Sequence, residues 1–126
     1  MEHGNVLIVD DEKKFADMLA KRTELRGYHS EVCYDGRTAL QWIKKHVDSV
    51  TLILLDLQLP DMYGTEVLTR IKEINPAIPV IILTGHGTER DQQKCERLGA
   101  YKFMHKPLDI DKLMTILEHI RETPEC

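Results

Sequence analysis

Leu52-Ile53-Leu54-Leu55-Asp56 is the stretch on which the reading of this chain turns. Its apolar residues run without polar alternation, so the strand they form is covered on both faces. Two other runs share the pattern. Val6-Leu7-Ile8-Val9 ends in Asp10-Asp11, and Val80-Ile81-Ile82-Leu83 ends in Thr84. Strands buried on both faces need helices above and below a parallel sheet.

Outward from these runs, the intervening segments supply the helices. Phe15, Met18, Leu19 and Leu25 make one face of a helix over 12–26, which Gly27 is placed to end. Ala39, Leu40, Ile43 and Val47 mark a second over 37–47. Val67, Leu68, Ile71 and Ile74 mark a third, stopped by Pro76. Leu113, Ile116, Leu117 and Ile120 mark the last. Two shorter, more polar strands over 29–34 and 101–104 read as sheet edges. Segment 88–98 forms a helix with only Cys95 and Leu98 to anchor it, so it is expected to be the least stable. The fold class is therefore α/β: five βα units, (βα)5, in an open, doubly wound parallel five-stranded sheet.

Composition narrows the function. The 126 residues suit a single domain, 1–126, with its core over about 5–121 and with 122–126 as a tail or the start of a linker. Apolar residues at 42% and charged residues at 30% describe a folded chain, not a disordered one. A formal net charge of −4 without a basic stripe argues against nucleic-acid binding by this domain. No apolar stretch approaches the roughly 20 residues that span a bilayer. The polar start Met1-Glu2-His3-Gly4-Asn5 is no signal peptide. Cys33, Cys95 and Cys126 have neither metal nor redox spacing, which suits the cytoplasm.

Chemistry gathers where the strands end. In an open parallel sheet, ligands bind at the carboxyl ends of the strands, where strand order reverses. Asp10, Asp11 and Asp56 should meet there. Clustered carboxylates repel one another, and a small hard cation such as Mg2+ resolves the repulsion while leaving room for phosphate oxygens. Thr84 and Lys106 stand at two further strand ends, so a hydroxyl and an ammonium converge on the acids. These are the parts of a phosphoryl-transfer site: a nucleophile, a metal site and fixed positive charge. Each part alone has a plainer reading. Asp10-Asp11-Glu12 suits a helix N-terminus, Thr84 a strand end, and Lys106 the surface. Their joint placement is what favours the chemistry.

The chain here resembles the receiver domains of bacterial response regulators, the phosphoacceptors of two-component signalling. The matching pieces are Val6-Leu7-Ile8-Val9-Asp10-Asp11, Leu54 to Gly64 (with Asp56-Leu57-Gln58-Leu59-Pro60-Asp61), Ile82-Leu83-Thr84-Gly85, and Gly99 to Pro107. They cover about 5–121, in the family's order and spacing. Thr84 to Thr88 and Lys106 to Asp109 resemble receivers of nitrogen-regulator-type activators. The resemblance implies the flavodoxin-like strand order 2-1-3-4-5. It implies that Asp56 is the phosphoacceptor and that Asp11, Asp56 and the Gln58 backbone carbonyl ligate Mg2+ (Mn2+ as a substitute), with Asp10 aligning the metal. It also implies that Thr84 and Lys106 hold phosphoryl oxygens, that Thr84 and Phe103 form the switch, and that a cis bond precedes Pro107. Gln58 and His86 would flank the phosphoryl group and tune its lifetime. The implied partners are a sensor histidine kinase, a downstream protein or output domain, and a second copy bound through 88–121 after phosphorylation.

Two residues depart from the family's commonest pattern. Phe103 lacks the hydroxyl of the tyrosine often found there, so its switching would rest on packing; as a plain alternative it is core. Tyr63 stands where a small polar or acidic residue is frequent. His86 reads equally well as an exposed loop histidine. Other functions fit less well. An aspartate-nucleophile phosphohydrolase needs a second acid at position 58, which is Gln58. A flavin mononucleotide carrier needs a hydroxyl- and glycine-rich loop where Asp10-Asp11-Glu12 stands. A pseudo-receiver would have lost the acceptor, the threonine or the lysine.

Overall fold

The computed structural model describes residues 4–122. Strands and helices alternate along it: β1 Gly4–Val9, α1 Lys13–Glu24, β2 Tyr28–Cys33, α2 Gly36–Lys45, β3 Val50–Leu55, α3 Gly64–Ile74, β4 Val80–Thr84, α4 Glu89–Arg97, β5 Lys102–His105 and α5 Ile110–Glu122. All strand pairs are parallel, and the sheet order is β2-β1-β3-β4-β5. The more polar strands, β2 and β5, are the edges, as their sequences require. The starting residues Met1 to His3, the tail from Thr123 onward and Cys126 lie outside the described residues; Glu122, expected in the tail, still belongs to α5.

The unbroken apolar runs divide between two cores. Leu7, Val9, Ile53, Leu55, Val80 and Ile82 point to the side covered by α2, α3 and α4. Their neighbours Val6, Ile8, Leu52, Leu54, Ile81 and Leu83 point to the side covered by α1 and α5. A strand side chain alternates faces at every residue, so a strand with helices on both sides is apolar throughout. Each such side chain contributes about 1.5–3 kcal/mol when fully buried.

One expected core residue is corrected. Leu25 is 84% exposed, because α1 ends at Glu24 and Leu25 is its C-cap. The buried position is Thr23, one turn beyond Leu19, whose hydroxyl donates to the Leu19 carbonyl. Gly27 follows with φ of 94°, a left-handed conformation that suits glycine and turns the chain into β2. Helix α4 has a single buried side chain, Cys95, as its composition implied, although Leu98 also packs against the core. Its start is better held than its interior suggests. Thr88 and Asp91 form a capping box, each side chain bonding the other's backbone N–H.

Candidate functional site: an acidic pocket at the strand ends

Strand order reverses between β1 and β3, and the register pairs Val9 with Leu55. The next residue on each strand is Asp10 and Asp56, brought side by side. The Asp56 N–H donates to the Val9 carbonyl at 2.9 Å, and the Asp10 N–H to Cys33 at 3.0 Å. Both carboxylates are buried, whereas Asp11 beside them is exposed. Ligand atoms of Asp10, Asp11 and Asp56 lie within 4.8 Å of one another.

Gly64 shapes the exit of β3. A Cβ there would fall against the Asp56 carbonyl oxygen and 2.7 Å from Leu57 Cα, so the first turn of α3 packs on bare backbone. The Gly64 N–H donates to the Leu57 carbonyl at 2.7 Å. Asp61, in the same loop, accepts from the Gly36 and Arg37 N–H groups at 2.9 Å each and so caps α2 from outside. Although desolvation works the other way, these backbone bonds hold the Asp61 carboxyl below the ordinary range.

Lys106 supplies the fixed positive charge. Its N–H donates to the Thr84 carbonyl at 3.0 Å, which ties the end of β5 to the end of β4. The Lys106–Pro107 bond is cis, as expected. Its Nζ donates to Asp10 Oδ2 at 2.7 Å, Glu12 Oε1 at 2.7 Å and Asp56 Oδ2 at 3.3 Å. It also lies 4.4 Å from the centre of the Phe15 ring. Burial works against the ammonium charge, but the bonds to Asp10 and Glu12 and the field of the acids outweigh it, and its pKa is raised. Burial raises the Asp10 pKa, with the Lys106 bond opposing and the Asp56 charge adding to the rise. The bond from Lys106 holds the Glu12 carboxyl low.

The remaining expected residues stand around this centre. Thr84 is fully buried, and its hydroxyl accepts from the His86 N–H at 3.3 Å. The Gln58 N–H donates to Asp56 Oδ1 at 3.3 Å, and the Gln58 and His86 side chains are exposed at the rim. Phe103 is partly buried and packs on the α2–α3–α4 side of the sheet. A Cβ on Gly87 would come 2.5 Å from Phe103 Cζ and 2.7 Å from Thr84 Cγ2, so Phe103 and Thr84 flank the same glycine. Tyr63 is 77% exposed at the start of α3.

Glu12 and Phe15 were not read from the sequence as parts of the site. Glu12 looked like a helix-start acid, yet its side chain makes no cap bond and reaches Lys106 instead. The adjacent acids Asp10-Asp11-Glu12 were the available signal. Nothing in their spacing links them to a lysine 94 positions away.

The donor set suits a small hard cation. Asp10, Asp11 and Asp56 converge, the two buried ones on the Lys106 ammonium, and oxygen ligands are what Mg2+ selects. A doubly wound sheet with an acidic pocket at its switch point, a buried threonine and an inward lysine defines the class: a flavodoxin-like fold with a cation-suited pocket at its strand ends. Residues 6–118 match the response regulator receiver domain family, and the chain belongs to it.

Relatives agree. The transcriptional regulatory protein ZraR of Escherichia coli K12 is 34% identical over 120 residues, which cover 94% of this chain and 27% of that protein. The chain thus spans about a quarter of the length of ZraR and of the NtrX-like regulators it matches. The beryllofluoride-activated NtrC4 receiver domain dimer superposes with a TM-score of 0.86 at 34% identity, over 94% of this chain and 96% of that one. A chain of the CheX–CheY–BeF3–Mg2+ complex from Borrelia burgdorferi superposes with a TM-score of 0.89 at 29% identity, over 95% and 90%. The chain is therefore a receiver domain of the two-component type, whose members act as phosphoacceptors in signalling and not as small-molecule enzymes. No helix among the described residues is long and apolar enough to cross a membrane.

Proposed function

We propose that Asp56 accepts a phosphoryl group from the phosphohistidine of a sensor kinase. The observation that carries this reading is the Lys106 ammonium, held at once against Asp10, Glu12 and Asp56 in a pocket of converging acids. An oxygen of the Asp56 carboxylate attacks phosphorus, the P–N bond breaks, and the imidazole leaves with its electron pair. Most of the barrier in such a transfer is positioning and charge, so the work falls to the surrounding donors.

Lys106 donates to an equatorial phosphoryl oxygen, and the Thr84 hydroxyl donates to another. Asp10, Asp11, Asp56 and the Gln58 backbone carbonyl are the groups that would hold Mg2+ (or Mn2+), which would supply charge neutralisation when bound. The Borrelia complex, with its Mg2+ and beryllofluoride, supports this assignment. Exposed Gln58 and His86, at the rim, set how readily water reaches the acyl phosphate.

The phosphoryl group adds about −1.5 to −2 of charge at neutral pH. Thr84 is drawn toward it, Phe103 repacks beside Gly87, and α4, with its one buried side chain, changes position. Phosphorylation shifts the population between two arrangements. The face over 88–121 then meets an output domain, a downstream protein or a second copy; the NtrC4 dimer is a precedent for the last. Longer regulators such as ZraR support the view of this domain, 1–126, as the control unit of a larger protein, acting in the cytoplasm without itself touching nucleic acid or membrane.

The test is direct. The protein is incubated with acetyl phosphate and Mg2+ and weighed intact, beside Asp56→Asn. A Mg2+-dependent gain of one phosphoryl group in the parent alone is expected. An equal gain in Asp56→Asn would move the acceptor elsewhere.

A further inference from the structure

Lys106 has no ammonium proton to spare. An ammonium carries three donors, and all are spent: on Asp10 Oδ2 at 2.7 Å, Glu12 Oε1 at 2.7 Å and Asp56 Oδ2 at 3.3 Å. Serving a phosphoryl oxygen therefore requires that one of these acceptors be given up. The candidates differ in what their release costs. The Asp10 and Asp56 side chains are 3% and 5% exposed, and without a cation a buried carboxylate that loses its partner keeps the full desolvation penalty; with a cation on both, Glu12 is the charged competitor left for the lysine. The Glu12 side chain is 61% exposed, so water replaces the lysine there at little cost. The remaining contact, the Phe15 ring at 4.4 Å, takes no proton and need not change.

We propose that Glu12 is a positioning residue that holds Lys106 at rest and competes with the phosphoryl group for it. This rests on the phosphoacceptor reading above. Glu12 is thereby a brake on phosphorylation, set by one exposed carboxylate. Neutralising it leaves Lys106 with two charged carboxylates instead of three, and the incoming oxygen then competes against a weaker acceptor.

The experiment compares the parent with Glu12→Gln, a neutral side chain of the same length. In metal-free protein, the Lys106 side-chain NMR resonances should shift and its ammonium protons exchange faster in the variant. At saturating Mg2+, beryllofluoride should bind Glu12→Gln roughly two- to fivefold more tightly, the scale of an exposed ion pair. Phosphorylation should accelerate by a similar factor with acetyl phosphate and with the less charged phosphoramidate, because the effect passes through Lys106 and not through repulsion of the donor. It should vanish in a Lys106→Met background.

Unchanged or weaker beryllofluoride binding overturns the inference. So does an acceleration confined to the more highly charged donor, or one that persists with Lys106→Met. If the parent neither binds beryllofluoride nor gains a phosphoryl group, the phosphoacceptor reading has failed first, and that outcome is recognisable without the variant.

Discussion

Gly64 shows how much a single missing carbon matters at this site. Gly64→Ala would press a methyl group onto the Asp56 carbonyl and Leu57 Cα, and neither can move without moving Asp56. Expected are a loss of stability of about 1–3 kcal/mol, as for other overpacked sites, and slower phosphorylation, checked by urea unfolding and by acetyl phosphate kinetics. Gln58→Ala and His86→Ala belong to a different kind of position. Both side chains are exposed, so stability should hold while the dephosphorylation rate changes more than the ability to be phosphorylated. An unaltered rate in both would remove the lifetime role from these residues. Single residues were also the scale at which the sequence was least legible. Asp10, Asp11, Asp56, Thr84 and Lys106 stand at strand ends, and strand ends are visible as the close of apolar runs. Glu12 and Phe15 reach the same pocket from the start of α1, where their partner is set by how helix and sheet pack. No local pattern records that.

At the scale of elements, α4 is the informative one. Its sequence has one buried side chain to offer, so the capping box at Thr88 and Asp91 carries an unusual share of its order. Thr88→Ala should cost about 1 kcal/mol and raise hydrogen exchange in α4 before other helices. The Asp91 carboxyl is held below its ordinary 3.8 by the Thr88 backbone N–H and then by the Thr88 hydroxyl. A group with a lowered native pKa gives its full stabilisation above the unfolded value and loses it as pH falls through the native one. Protection of the α4 amides should therefore fall below pH 3.8, and Asp91→Asn should lose that pH dependence. Most elements were legible because each carries a run or a period of its own. The end of α1 was not, because Leu25 looks like the next apolar step while the helix had already stopped at Glu24. The capping box was open to reading in Thr88 and Asp91, but a short side chain at the third position is a weaker signal than Glu or Gln.

Over the whole molecule, stability and charge are coupled through the pocket. Folding brings Asp10, Asp11 and Asp56 together, with the Lys106 ammonium against Asp10 and Asp56, and a cation held among the three would offset their repulsion. Mg2+ should raise the melting temperature, by about 2.7 kcal/mol of stability at a hundredfold excess over its Kd, and Asp11→Asn should remove most of the rise. Calorimetry with and without EDTA reads both. The architecture itself was nearly all legible, since an apolar run that faces two cores leaves few alternatives to a parallel sheet between helix layers. The two interior thiols have a use of another kind. Cys33 and Cys95 are buried, one on each flank of the same core, and burial pushes both thiols up to about 11. At neutral pH they are almost wholly protonated and out of reach of an alkylating reagent. With Cys126 replaced, a cysteine introduced on the outer face of α4 would be the one fast-reacting thiol, and a dye or spin label attached there would report that helix's movement without a cysteine-free background having to be made.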